Sequence, residues 1–242
     1  MAAKKPAALI VSRDTEAKIA LPLMGSVPIL FAAGFDPLGL GLVKSLAKPG
    51  GTVTGISIQN RELSPKRLSL LKEAVPRLAR VGALLRSGDA NALHWLEVTT
   101  TQGRARGVQV IPAPVGGRDD LASAFESMAK QGAGAVMNIA DRLFFDTRRE
   151  LAELSLKHRM ASIAGTPEFA DAGTLLSYAP DTNSAWKQLA HLVDKILKGA
   201  NPAEMPVEQL GIYELVVNMK TAKALGITIP PSILVQATRV IE

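Results

Sequence analysis

PILFAAGFDPLGLGLVKSLAKPGGTVTGIS, residues 28–57, holds two apolar runs separated by a segment that opens on Asp-Pro and closes on Pro-Gly-Gly. The run Val27 to Ala33 reads as a buried strand delivering Gly34, Phe35 and Asp36 to its carboxyl end, where open α/β sheets hold their ligands. Asp36 before Pro37 suits a helix start, because Asp accepts from free amides and Pro has none to leave unpaired. Leu38, Leu42, Val43 and Leu46 share one helical face, which predicts a helix over 38–46, with Gly50-Gly51 breaking the chain before a second strand, Thr52 to Ser57. The stretch reads as a strand–helix–strand unit with a binding mouth.

The same alternation continues outward from this unit. Strands are expected at Ala7–Val11, Val53–Ile56, Val81–Leu85, Val108–Ile111, Ala135–Ile139, Ala161–Ile163, Leu175–Tyr178 and Tyr213–Val217. Helices are expected at Thr15–Leu21, Ser64–Val75, Asn91–Gly103, Asp119–Lys130, Phe144–His158, Thr182–Lys198 and Lys220–Leu225. A chain of 242 residues with 47% hydrophobic positions divides more readily into two cores than into a single sheet. The expectation is therefore an α/β protein of two doubly wound parallel-sheet lobes joined by a hinge. Lobe one takes residues 1–58 and 179–242, with the final helix free to return to its neighbour, and lobe two takes 59–178. The chain is expected to cross at Gly55–Asn60 and Ser177–Thr182.

Composition narrows the function. The net charge of +6 comes from dispersed basic residues, and aromatics are only 4%, so no clustered, ring-lined nucleic-acid groove is expected. The absence of cysteine excludes disulfides and thiolate chemistry. His94, His158 and His191 lack metal-site spacing, and neither a GxSxG elbow nor a GxxxxGK[ST] loop occurs. No catalytic residue, metal or cofactor is expected. The opening MAAKKPAALIVS is too short in apolar residues before Arg13 and Asp14 to read as an export signal.

Four motifs carry a resemblance: FDPLGLGLVKSLAKPGGTVTGIS (35–57), LLSYAPDTNSAWKQLAHLVDKILKG (175–199), ILKGANPAEMPVEQ (196–209) and YELVVNMKTAKALGITIPPSILVQATRVIE (213–242). In this order they are similar to the ABC-transporter substrate-binding protein family with a type 1 periplasmic-binding fold, some members of which take hydrophobic or aromatic amino acids. The resemblance implies a small-molecule ligand captured between two closing lobes, an ABC permease as partner, and a periplasmic or membrane-anchored location. It also implies an export signal and two strand–helix units ahead of a third strand. The sequence begins near that third strand, so lobe one is expected to be N-terminally incomplete, through a late-assigned start, a truncation or a fragment. An open strand edge at Ala7–Val11 would then invite self-association. A cytosolic ligand-sensing module is the alternative reading.

An amino-acid ligand needs donors for its carboxylate and a carboxylate for its ammonium. Ser12 and Thr15, between a strand and a helix, suit the first, although either also serves as a simple cap. Asp141, following the strand 135–139, suits the second, against the readings of helix cap or ion pair with Arg142. Asp36 divides between capping and ligand contact. Ser87 and Asn91 lie in a polar loop after another strand and would complete that wall, unless they are turn residues only. Tyr178 fits either a pocket or the hinge, and Phe35 either the pocket or the core. Trp95 and Trp186 are expected to pack on the sheets from amphipathic helices.

Overall fold

The computed structural model describes residues 6–34, 36–58 and 63–242, with the backbone alone at 90 and 91. The chain forms two compact units, one of Met1–Asn60 with Pro180–Ile212, the other of Arg61–Ala179 with Tyr213–Glu242.

Unit one is built on a sheet of order β1-β2-β3-β9. Its strands are β1 (Leu9–Arg13), β2 (Ile29–Gly34), β3 (Val53–Ser57) and β9 (Glu208–Gln209), all parallel. Side chains alternate across β2, so Ile29 and Phe31 enter one core with Ala17 of α1 (Asp14–Met24), while Leu30 and Ala32 enter another with Ala185, Leu189, Leu192 and Ile196 of α8 (Thr182–Leu197). A strand covered on both faces must be apolar throughout, which is why residues 29–32 read as one continuous run. Phe31 lies opposite Gly55 in register, and a Cβ at Gly55 would stand 2.3 Å from the Phe31 carbonyl oxygen. Only glycine permits that approach.

The helix expected over 38–46 does not form. Leu40 makes one helical-turn bond, to the Asp36 carbonyl, but Gly41 then turns to φ 69°, Leu42 N–H reaches back five residues to the Pro37 carbonyl, and Lys44 N–H donates to the Pro49 carbonyl. Gly39 and Gly41 each cost about 1 kcal/mol relative to Ala inside a helix. Leu42 and Val43 reach the core from this irregular connection, so their burial stabilises the fold without a helix.

Unit two is a sheet of order β11-β10-β8-β7-β6-β4-β5. Along the chain run α2 (Ser64–Ala74), β4 (Arg80–Arg86), α3 (Ala90–Ala105), β5 (Gln109–Val115), α4 (Leu121–Lys130), β6 (Ala135–Asn138), α5 (Arg142–Asp146), α6 (Arg148–Lys157), β7 (Ala161–Ala164), α7 (Pro167–Asp171) and β8 (Leu176–Pro180). After the excursion into unit one follow β10 (Tyr213–Asn218), α9 (Met219–Leu225), α10 (Pro231–Gln236) and β11 (Arg239–Ile241). Strands β5, β4, β6, β7 and β8 pair in parallel, as do β10 and β11. Asn218 N–H donates to the Leu175 carbonyl while Tyr178 stacks on Tyr213, so the end of β8 lies against the start of β10 and those two strands run in opposite senses.

Several expectations are corrected here. Residues 213–242 build the edge of the second sheet rather than lobe one, and the chain passes between units a third time at Ile212–Tyr213. The helix expected over 144–158 is two helices divided at Thr147, whose hydroxyl donates to the Leu143 carbonyl at 2.7 Å. Trp95 is buried, but Trp186 is 46% exposed, on the side of α8 turned away from the sheet. Its neighbour Ala185 occupies the buried stripe instead.

Candidate functional site

In a parallel sheet the connections that follow the strands gather at one end, and the expected site residues within the described structure lie in such connections, in the helix turns that open from them or in the strands that lead to them. In unit one, β1 runs directly into α1. The Asp14 carboxylate is buried, accepting from Thr15 N–H at 2.9 Å and, through its other oxygen, from Asp36 N–H at 2.7 Å. Glu16 reaches back from the first turn, and its Oε2 accepts from Ser12 N–H at 2.8 Å and Arg13 N–H at 3.3 Å. The amides expected to meet a ligand carboxylate are thus satisfied by the protein's own acids, while the side chains of Ser12 and Thr15 are exposed. Asp36 Oδ1 accepts from Gly39 N–H at 2.9 Å, the capping geometry expected of Asp before Pro. Phe35 lies outside the described residues. Asp14, Glu16 and Asp36 make this mouth acidic, an environment that favours cations.

In unit two, Asp141 caps α5, its Oδ1 accepting from Leu143 N–H at 2.7 Å and standing 3.9 Å from Arg86 Nε. Arg142, offered by the sequence as an alternative ion-pair partner for Asp141, instead binds Asp146 at 2.7 Å one helical turn on. Arg86 is fixed by a second bond, from Nη1 to the Gly116 carbonyl at 2.6 Å. Ser87 is exposed and lines a hollow of about 500 Å³ with Pro112, Pro114 and Asp120 on the β5 side of the sheet. Asn91 lies in the first turn of α3, its side chain outside the description.

Tyr178 is the middle residue of β8. Its ring stacks on Tyr213 with centroids 5.7 Å apart and planes 26° from parallel. Burial raises the phenol above its ordinary pKa, Tyr213 adds to this, and Arg67 opposes it. The backbone carbonyl of Tyr178 accepts from Arg67 Nε at 2.8 Å. Arg67 is 4% exposed, and burial lowers its pKa to about 10, so it remains charged at neutral pH. A Cβ at Gly165, after β7, would lie 2.9 Å from the guanidinium, so glycine clears the space for Arg67.

Sequence reasoning missed Arg67, Arg86, Asp14, Glu16 and Tyr213. A signal existed for two of them. Arg67 falls on the stripe Ser64, Arg67, Leu68, Leu71 that α2 buries, where a charge requires a partner. Glu16 stands three residues after Arg13, which occupies the position just before α1, and from there an acid returns to that residue's amide.

Among the described residues no group of three or more His, Asp or Glu side chains could hold a metal ion. No helix of the described residues is long and apolar enough to cross a membrane.

Comparison with known proteins adds the family. The chain is 24% identical over 200 residues to a tyrosine-binding protein of Clostridioides difficile, a match covering 82% of this chain and 57% of that one, so it spans little more than half of the relative's length. It is similar to an ABC domain from Streptococcus pneumonia solved in complex with L-Trp, at 28% identity and a TM-score of 0.82, over 99% of this chain and 82% of that one. A ligand-free, open substrate-binding protein with adhesive properties from Clostridium difficile shares the fold, at 22% identity and a TM-score of 0.80, over 98% and 79% of the two chains. The model of the ABC transporter substrate binding protein family matches residues 1–241, and the chain belongs to that family.

Proposed function

We propose that this chain captures a small zwitterionic ligand, an amino acid with an aromatic or other hydrophobic side chain, outside the cytoplasm and presents it to an ABC permease. The observation that carries the reading is the family match over nearly the whole chain, sharpened by relatives whose ligands are tyrosine and L-Trp. The ligand selects the liganded arrangement of the chain by binding it more tightly than the ligand-free one. Its ammonium meets the Asp141 carboxylate, whose side chain is 24% exposed beside its capping bond. No chemical step is assigned, in keeping with a family that binds and delivers.

A thermal-shift and calorimetry panel of Trp, Tyr, Phe, Gly and glucose tests this. An aromatic amino acid at a hundred times its Kd stabilises the chain by about 2.7 kcal/mol. A response to glucose with none to any amino acid overturns the ligand class. For Asp141→Asn the expected loss of binding is about 1.5–3 kcal/mol, the scale of a hydrogen bond to a charged group. Because Asn caps helices as well as Asp, the ligand-free Tm should stay in place. Unchanged affinity in that variant would return Asp141 to capping alone.

A further inference from the structure

The charges of unit two are divided between its two ends. Where the strands finish, three cations have carboxylate partners: Arg86 with Asp141, Arg118 with Glu150, Arg142 with Asp146. Where β4, β5, β6 and β7 begin, four helix-to-strand turns meet, because these strands are parallel and adjacent in the order β5-β4-β6-β7. Those turns and the helix and strand ends that flank them carry Arg77 and Arg80, Arg104 and Arg106, Lys130, and Lys157 and Arg159. Stretches 74–80, 98–109, 127–135 and 154–160 contain no Asp or Glu.

None of these seven cations forms an ion pair with a described carboxylate. The acids nearest in sequence are engaged or stop short. Glu73 accepts from the Ser232 hydroxyl, Glu97 faces His94, and Glu126 and Glu153 stand one helical turn before Lys130 and Lys157 without reaching them. Arg80 ties the face together, donating to Gln109 Oε1 at 3.2 Å and to the Gln131 carbonyl at 3.3 Å, while Arg106 donates to Ser69 at 2.9 Å. Arg77, Arg104, Lys130, Lys157 and Arg159 are exposed.

Helix dipoles explain a cation in the last turn of a helix, but Arg77, Arg80, Arg106 and Arg159 lie beyond the helix ends. Four strands at about 4.8 Å spacing place the group across roughly 15 Å, about twice the ~8 Å screening length of physiological salt, so each charge acts together with those on the adjacent turns. The turns carry no Phe, Tyr or Trp on which a base would stack.

We infer that this end of unit two is a docking face for an anionic phospholipid surface, which holds the protein beside the membrane in which its transporter works. Polybasic faces bind such surfaces through summed, salt-sensitive attraction without a pocket.

Sedimentation with vesicles of phosphatidylcholine, alone or mixed with one-third phosphatidylglycerol, tests the inference at low and high salt on the 242-residue chain. Binding is expected only to the mixed vesicles and only at low salt. The combined variant Arg77→Gln, Arg104→Gln, Lys130→Gln, Lys157→Gln, Arg159→Gln should bind at least about tenfold more weakly. The equally discharged variant Lys18→Gln, Lys44→Gln, Lys48→Gln, Lys187→Gln, Lys195→Gln, all in unit one, should bind as the parent does. Equal losses in the two variants, or no preference for the mixed vesicles, would overturn the inference. Tighter binding to duplex DNA than to vesicles, lost in the first variant, would also overturn it and assign the face to nucleic acid. If circular dichroism shows the first variant unfolded, Arg77→Gln with Lys130→Gln decides instead, a partial loss supporting the face and parental binding refuting it.

Discussion

Arg67 and Gly165 are complementary: one brings a guanidinium under β8, and the other has no side chain to obstruct it. Arg67→Ala removes the donor to the Tyr178 carbonyl and should cost about 1.5–3 kcal/mol of unfolding free energy. Gly165→Ala presses a methyl group on a buried guanidinium and should cost about 1–3 kcal/mol. In the double variant the second cost should vanish, since the methyl then enters vacated space. Strict additivity in denaturant titrations would show that the two residues do not share that space. The chain's two tyrosines are the stacked pair Tyr178 and Tyr213, so tyrosinate absorbance reports on this pair alone. With the native Tyr178 phenol raised above its ordinary value, its contribution to stability is present below about pH 10 and lost as pH climbs through the higher native value. Tyr213→Phe removes one of the causes of the rise, and the Tyr178 midpoint should move down. A midpoint that stays put would assign the shift to burial alone.

Among the elements, α8 shows how a cap sets acid sensitivity. Asp181 accepts from the Ser184 hydroxyl at 2.5 Å and from the N–H groups of Asn183 and Ser184, and chiefly that hydroxyl holds its carboxyl below the ordinary value. The stabilisation is present above about pH 4 and lost as pH falls through the native value. Asp181→Ala should cost about 0.5–2 kcal/mol at neutral pH, whereas Asp181→Asn should keep most of the cap and flatten the acid limb of the stability curve. An acid limb identical in parent and Asn variant would place the proton uptake elsewhere. Elements with a strong period were legible in the sequence: α2 and the apolar run of β2 lie within a residue or two of their expected bounds. The segment 38–46 was not, because its apolar spacing suits a helix and an irregular loop equally, and Gly39 and Gly41 tip the balance. Nor was β11, whose three residues pair only through a sheet that the linear sequence does not display. At the candidate site, position was legible and occupancy was not. Strand-end loops follow from periodicity, but the bonds from Ser12 and Arg13 to Glu16 depend on a rotamer, and the Arg86–Asp141 approach joins the end of β4 to the cap of α5, 55 residues apart.

At the scale of the whole molecule, the two units differ in how local their chain is. The first five strands of unit two come from a continuous stretch, whereas β3 of unit one pairs with β9, and Thr54 donates at 3.0 Å to a Met205 carbonyl 151 residues away. Closing long loops precedes the reward of contact, so folding slows as sequence separation grows. Pulse-labelled hydrogen exchange during refolding should protect the amides of β4 and β6 before those of β2 and β3, and simultaneous protection would contradict this order. Synthesis sharpens the contrast. Residues 29–32 leave the ribosome long before Ala185, Leu189, Leu192 and Ile196 exist to cover them, an interval of roughly 10 to 30 s at ~5–20 residues per second. This earlier-made segment is therefore completed late, and its aliphatic strand waits uncovered in the nascent chain, where a chaperone would shield it.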